Sequence, residues 1–158
     1  MVLSACGFQL RGEQNFAFKR LAVVGGPPPF TGRLTRMIEG GSDSVVVDSV
    51  ANADAVLQVS EARNFSTLTL NSLGAVEEYQ VNYWLNYSLV SADGTVLMQP
   101  STIALNRAMT YSDQFSQAKA AESDILFADM ENDAVDQLIR RLAVVRSLHP
   151  TPAEAVPG

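Results

Sequence analysis

The clearest pattern in the chain is a strict alternation from Glu78 to Val90, EYQVNYWLNYSLV. Tyr79, Val81, Tyr83, Leu85, Tyr87 and Leu89 fall on one side, and Gln80, Asn82, Trp84, Asn86 and Ser88 on the other. Successive side chains of a strand point to opposite faces, so a period of two predicts a strand with one buried face. Asp93-Gly94 comes next, a dipeptide suited to the positive φ of a tight hairpin turn, and TVLMQPSTIALNRAMTY then resumes extended character. A long antiparallel hairpin is the expectation. Pro100 has no N–H to give to a ladder, which places it at a bulge or on an outer edge. Upstream, Ala55 to Leu70 sets Val56, Gln58 and Ser60 against Leu57, Val59 and Glu61, which reads as another strand.

Nearer the start, FAFKRLAVV predicts a strand that stops at Gly25, and Pro27 to Pro29 read as a stiff, extended surface connection. Thr31 then caps a short helix whose Leu34, Met37 and Ile38 share a face, ended by Gly40 and Gly41. The apolar run SVVVDSV, Ser44 to Val50, suits a strand covered on both sides or lying parallel beside the first. Ser116 to Arg146 is helical in period: Met130, Ala134, Leu138, Leu142 and Val145 recur at 4, 4, 4 and 3 residues. Residues 147–158 carry three prolines and no apolar period, and are expected to be a disordered tail. The 158 residues amount to a single domain.

Composition removes several functions. Seventeen acidic against eleven basic side chains give a net charge of −6, which argues against nucleic acid and other non-specific polyanions as partners. The longest apolar runs fall far short of the roughly 20 residues of a membrane-spanning helix. With one Cys and one His, zinc sites, iron-sulfur clusters and Cys-His or His-based catalytic pairs lack their parts, so no metal or cofactor is expected. VVGGPPPFTGRL has glycines between a strand and a helix, as a phosphate loop does, but its prolines supply no N–H groups to cradle phosphate. Nothing singles out a carboxylate pair such as Glu77 and Glu78 for acid-base work, and the chain is not expected to be an enzyme. Trp84, alone among Asn and Ser, is the candidate anchor for a partner protein.

Leu3-Ser4-Ala5-Cys6 fits the bacterial lipobox: an apolar residue, two small ones, and the cysteine that is acylated to become the mature N-terminus. Residues 1–5 then read as what remains of a signal peptide, and 6–15 as a lipidated tether leading into a domain at 16–146. The segment that begins at Cys6, CGFQLRG, resembles the start of the LPS-assembly lipoprotein family LptE, which opens on Cys-Gly, an aromatic and then Leu-Arg. EYQVNYWLNYSL is similar to the family's central strand, Arg107 stands in the strand after the hairpin as it does there, and QAKAAESDILFADMENDAVDQLIRRL resembles its last helix.

The resemblance implies an α+β fold, a two-layer sandwich in which two helices pack on a small mixed sheet of about four strands. It also implies a function: a lipoprotein on the periplasmic side of the outer membrane, held there by its lipid anchor. Such a protein plugs and helps assemble the LptD β-barrel and assists lipopolysaccharide transport to the outer leaflet. For lipopolysaccharide itself, Lys119 matches a basic position of the family. The second basic position, in the loop before the Glu-Tyr strand, is replaced by the uncharged LNSLGAV, so Arg107 or Arg63 would have to compensate. The competing reading is a stand-alone periplasmic lipoprotein that binds a lipidic or small ligand between helix and sheet.

Overall fold

The computed structural model describes residues 14–112, 114 and 116–151. Its elements in chain order are β1 (Arg20–Gly25), α1 (Pro28–Gly41), β2 (Val45–Val47), a single 3-10 turn (Val50–Asn52), β3 (Ala55–Leu70), β4 (Val76–Ser91), β5 (Val96–Thr110) and α2 (Ser116–Val144). The strands form one mixed sheet of five, one more than the resemblance implied, in the order β2-β1-β3-β4-β5. β1 runs parallel to both neighbours, while β3, β4 and β5 form an antiparallel meander. Both helices pack against each other and the same sheet face, giving the two-layer α+β arrangement.

The alternation in β4 is realised as read. Val81, Tyr83, Leu85, Tyr87 and Leu89 are buried, Tyr79 is half-buried, and the intervening residues lie on the opposite face. The helix α2 ends at Val144, two residues short of the expected Arg146. The five expected apolar positions are all buried, Met130, Ala134, Leu138 and Leu142 within it and Val145 just past its end, joined by Phe127, Val135 and Ile139. Each large apolar side chain so removed from water contributes about 1.5–3 kcal/mol, several times the worth of a favourable charge at a helix end. Packing on the sheet, more than the dipole, therefore holds α2 in place.

Two expectations about the first crossover are corrected. Pro28 and Pro29 are not spacer but the first two residues of α1, and Pro27 in extended conformation is its cap. Proline suits this position because its φ is already helical and the N–H it lacks would have no partner in the first turn. Thr31 consequently lies inside the helix rather than capping it: its N–H donates to the Pro27 carbonyl at 3.0 Å, and its hydroxyl to the Pro28 carbonyl at 3.2 Å.

β2 is shorter than Ser44 to Val50, and of the two roles foreseen it takes the parallel one, beside β1 at the sheet edge. Past it the chain crosses to the other side of β1 through the 3-10 turn, closing a small second cluster of Ala22, Ala53 and Val56 with Val47 and Val90. Pro100 meets both halves of its expectation. It lies on the outer strand β5 where the β4–β5 register shifts, between the pairs Tyr87–Ser101 and Leu89–Met98. Beyond α2, Leu148 packs partly on the core and His149 Nδ1 stands 3.2 Å from Asp93.

Candidate functional site

Strands of fifteen or sixteen residues reach about 50 Å, and a helix of 29 reaches roughly 43 Å, so α2 lies along most of the β3–β5 meander. Three of the sequence-derived candidates fall on this seam. Arg63 on β3 and Arg107 on β5 occupy the helix-facing side, in adjacent rows paired with Tyr83 and Val81. Lys119, near the start of α2, reaches the end of β5. Trp84 is on the opposite face, and Cys6 lies outside the described residues.

The three cations are held by the chain's own carboxylates. Arg63 bridges Glu61 at 3.0 Å and Glu131 at 2.9 Å, with its guanidinium over the rings of Tyr83 and Phe127 at 5.7 and 5.2 Å. Arg107 donates to Asp133 at 2.9 Å. The Lys119 ammonium donates to Glu122 at 2.6 Å and to the Thr110 hydroxyl at 3.0 Å. Burial lowers the Arg63 pKa, but Glu61 and then Glu131 more than reverse this, so the guanidinium stays charged. Burial, followed by repulsion from Glu61, raises the Glu131 carboxyl above its ordinary range, with Arg63 opposing. The Tyr83 hydroxyl is pushed well above the usual phenol value by burial and then by Glu61. Arg63 is thus locked into a structural network, the kind whose disruption leaves a buried charge uncompensated.

Lys119 differs in its surroundings. It borders a pocket of about 380 Å³ lined otherwise by Phe65, Tyr79, Met109, Tyr111, Ala120 and Ser123. Phe65 makes edge contacts with Tyr79 and Phe127, and Tyr79 with Tyr111, so the aromatic wall is tied together. An apolar, aromatic cavity with one ammonium at its border matches an amphiphile: an acyl segment inside and an anionic group at the lysine. Sequence reading found Lys119 but not the lining of the pocket, because Phe65, Tyr79 and Met109 come from three separate strands and only the meander joins them.

The opposite sheet face has another character. On β3 its residues are Gln58, Ser60, Ala62, Asn64 and Ser66; on β4 Gln80, Asn82, Trp84, Asn86 and Ser88; on β5 Thr102, Ala104, Asn106 and Ala108. None is charged. Asn82 donates to Asn64 at 3.0 Å and to Ser66 at 3.1 Å, and Thr102 to Asn86 at 2.7 Å, so amides and hydroxyls tie the strands across this face. Trp84 is half-buried on this face, paired across the ladders with the small Ala62 on one side and Ala104 on the other.

Comparison with known proteins agrees with this fold. The chain is 23% identical over 151 residues to the LPS-assembly lipoprotein LptE of Photorhabdus laumondii, an alignment covering 93% of this chain and 82% of the relative. With the protein of the same name from Pectobacterium atrosepticum it shares 28% over 153 residues, or 92% and 80% of the two chains. Among solved structures, lipoprotein B of Nitrosomonas europaea superimposes with a TM-score of 0.72 at 29% identity, covering 87% of this chain and 91% of that one. The LptE model, described as lipopolysaccharide-assembly, matches residues 18–142, which include all of the sheet and nearly all of α2. The chain therefore belongs to the LptE lipopolysaccharide-assembly family.

Proposed function

We propose that this chain is a non-enzymatic, lipid-anchored subunit on the periplasmic side of the outer membrane, which plugs and helps assemble the LptD β-barrel and assists lipopolysaccharide transport. In this reading residues 6–15 form the tether and Cys6 carries the acyl chains. More than one chain is needed for a durable hold, because a single chain anchors only marginally. The observation that carries the plug role is the outer face of β3–β5, which is uncharged along its middle, from Gln80 to Ser88 on β4, with Glu78 confined to one end. The lumen of a membrane β-barrel is polar, and a surface of amides, hydroxyls and small residues can enter it, exchanging hydrogen bonds with water for hydrogen bonds with the wall. It does so without the cost of burying unpaired charge. Trp84, half-buried between its alanine neighbours at the middle of that face, is the candidate interface anchor.

Co-expression with the LptD barrel tests this. Wild type is expected to co-purify as a stable complex, and Trp84→Ala to lose at least tenfold in affinity while its melting temperature stays within a few degrees of wild type. If no complex forms with a properly folded barrel, the plug reading fails. A second reading, direct capture of a lipidic ligand, is favoured by the aromatic pocket beside Lys119. The two are compatible, since pocket and uncharged face are on opposite sides of the sheet.

A further inference from the structure

Where the chain enters the domain, the Gln14 N–H donates to the Gly41 carbonyl at the end of α1 at 2.8 Å. Beside this entry, between α1 and α2, is a groove of about 400 Å³ lined by Met37 and Ile139 and by the charged side chains of Arg36, Arg140 and Asp136. Asp136 already accepts a hydrogen bond from Arg33 at 3.0 Å, and the Arg33 Nε is buried without a hydrogen-bond partner. Arg36 and Arg140 have no polar partner among the described residues. Elsewhere Arg20, Arg63 and Arg107 each hold a carboxylate. Around this groove three guanidiniums face one carboxylate, a local excess of positive charge in a protein whose net charge is −6. The overall charge does not prevent a local anion site, because screening limits its reach to about 8 Å at physiological salt.

We propose that this groove binds a phosphate group, and that in the anchored protein the phosphate belongs to an anionic lipid headgroup of the leaflet that holds the anchor. Guanidinium groups match phosphate in geometry and bind it through paired N–H donors. The lipid source follows from distance and rests on the reading of Cys6 as the acylation site. Gln14 is eight positions after Cys6, so full extension puts the groove entrance at most roughly 29 Å from the anchor. Headgroup contact at the groove sets the domain in one orientation relative to the membrane, with the α1–α2 end toward the lipid.

The test uses the full chain, unacylated, sedimented with vesicles of phosphatidylcholine alone or mixed with phosphatidylglycerol. Wild type is expected to prefer the anionic vesicles. Arg36→Gln and Arg140→Gln should each lower that binding roughly fivefold, and the double variant should bind both vesicle types alike. Lys19→Gln removes the same charge elsewhere on the surface and should change binding less than twofold. A double variant that binds like wild type, or an equal loss in Lys19→Gln, overturns the proposal. Titration with inorganic phosphate, followed by NMR of the arginine side chains, separates the sources. Shifts at Arg36 and Arg140 without a preference for anionic vesicles would assign the groove to free phosphate and overturn the lipid assignment. Mass spectrometry of the precursor expressed in a Gram-negative host checks the anchor independently: absence of acyl chains on Cys6 overturns that reading by itself, while the vesicle arms still decide the groove.

Discussion

Asp54, just before β3, ties that strand to the start of its parallel neighbour β1. Its carboxylate accepts the backbone N–H groups of Lys19 and Arg20 at 3.1 and 2.9 Å and two guanidinium donors of Arg20, at 3.2 and 2.7 Å. The Arg20 side chain is the main reason its pKa is lowered from 3.8, partly opposed by burial and helped by both backbone donors. A carboxyl with a folded-state pKa below its unfolded value adds stability above the unfolded value and loses it as pH falls through the folded one. Asp54→Asn is therefore expected to cost about 1–2 kcal/mol in urea unfolding at pH 7. The gap to wild type should narrow below pH 3.8; a constant gap would mean that the charge is not what stabilises the junction. Lys119 is a different kind of residue, poised on a cavity rather than committed to the backbone. Replacing it by Asp sets a negative charge next to Glu122 and the aromatic pocket, and should reduce lipopolysaccharide capture in a pull-down several-fold, with Lys119→Gln intermediate. Capture unchanged in both variants removes Lys119 from the ligand site.

Among the elements, the β1–α1 junction has the least tolerance. Gly25 has φ of +84°, and a Cβ there would stand 2.3 Å from the Val59 carbonyl oxygen of β3. Both the left-handed backbone and the close strand require the missing side chain. Gly25→Ala is expected to cost about 2–4 kcal/mol, read as a lowered urea midpoint with an unchanged slope, since the fault lies in the folded state. A loss under 0.5 kcal/mol would show that β3 moves aside freely. Strands and α2 were legible as elements because each repeats its own period over many residues: β3 runs over the expected Ala55–Leu70, and β4 extends the expected span by only three residues. The proline run was misread because Pro-Pro-Pro is compatible with both an extended spacer and a helix start. Only the residues after it, with Phe30, Leu34 and Ile38 buried against the sheet, favour the helix.

For the whole molecule, the arrangement separates tasks. One sheet face and the helices make the core, the middle of the other face along β3–β5 is polar and uncharged, and the chain enters beside the α1–α2 groove. Nothing in this division uses Cys6. Cys6→Ala is accordingly expected to leave the melting temperature within 1–2 °C of wild type while abolishing membrane attachment of the full-length precursor, measured by fractionation. Retained attachment would mean that another surface anchors the protein. The family was legible because short similar segments recur in order from CGFQLRG to the last helix. Positions of charged side chains were legible too, but not their partners.

The amino-acid sequence by itself determined the strands of the meander and the buried stripe of α2, because these depend on neighbours in the chain and on periods of two or close to four residues. It also determined which residue types were present to act. Tertiary structure decided what they act on. Arg63, read as a ligand contact, stands 68 residues from Glu131 and yet pairs with it, and Arg107 is claimed in the same way by Asp133. The Lys119 pocket, the uncharged face around Trp84 and the unpaired arginines between α1 and α2 each combine segments distant in sequence. Whether a charge is spent on the protein itself or left for a ligand depends on distances of a few ångströms across those segments, and no local pattern encodes them.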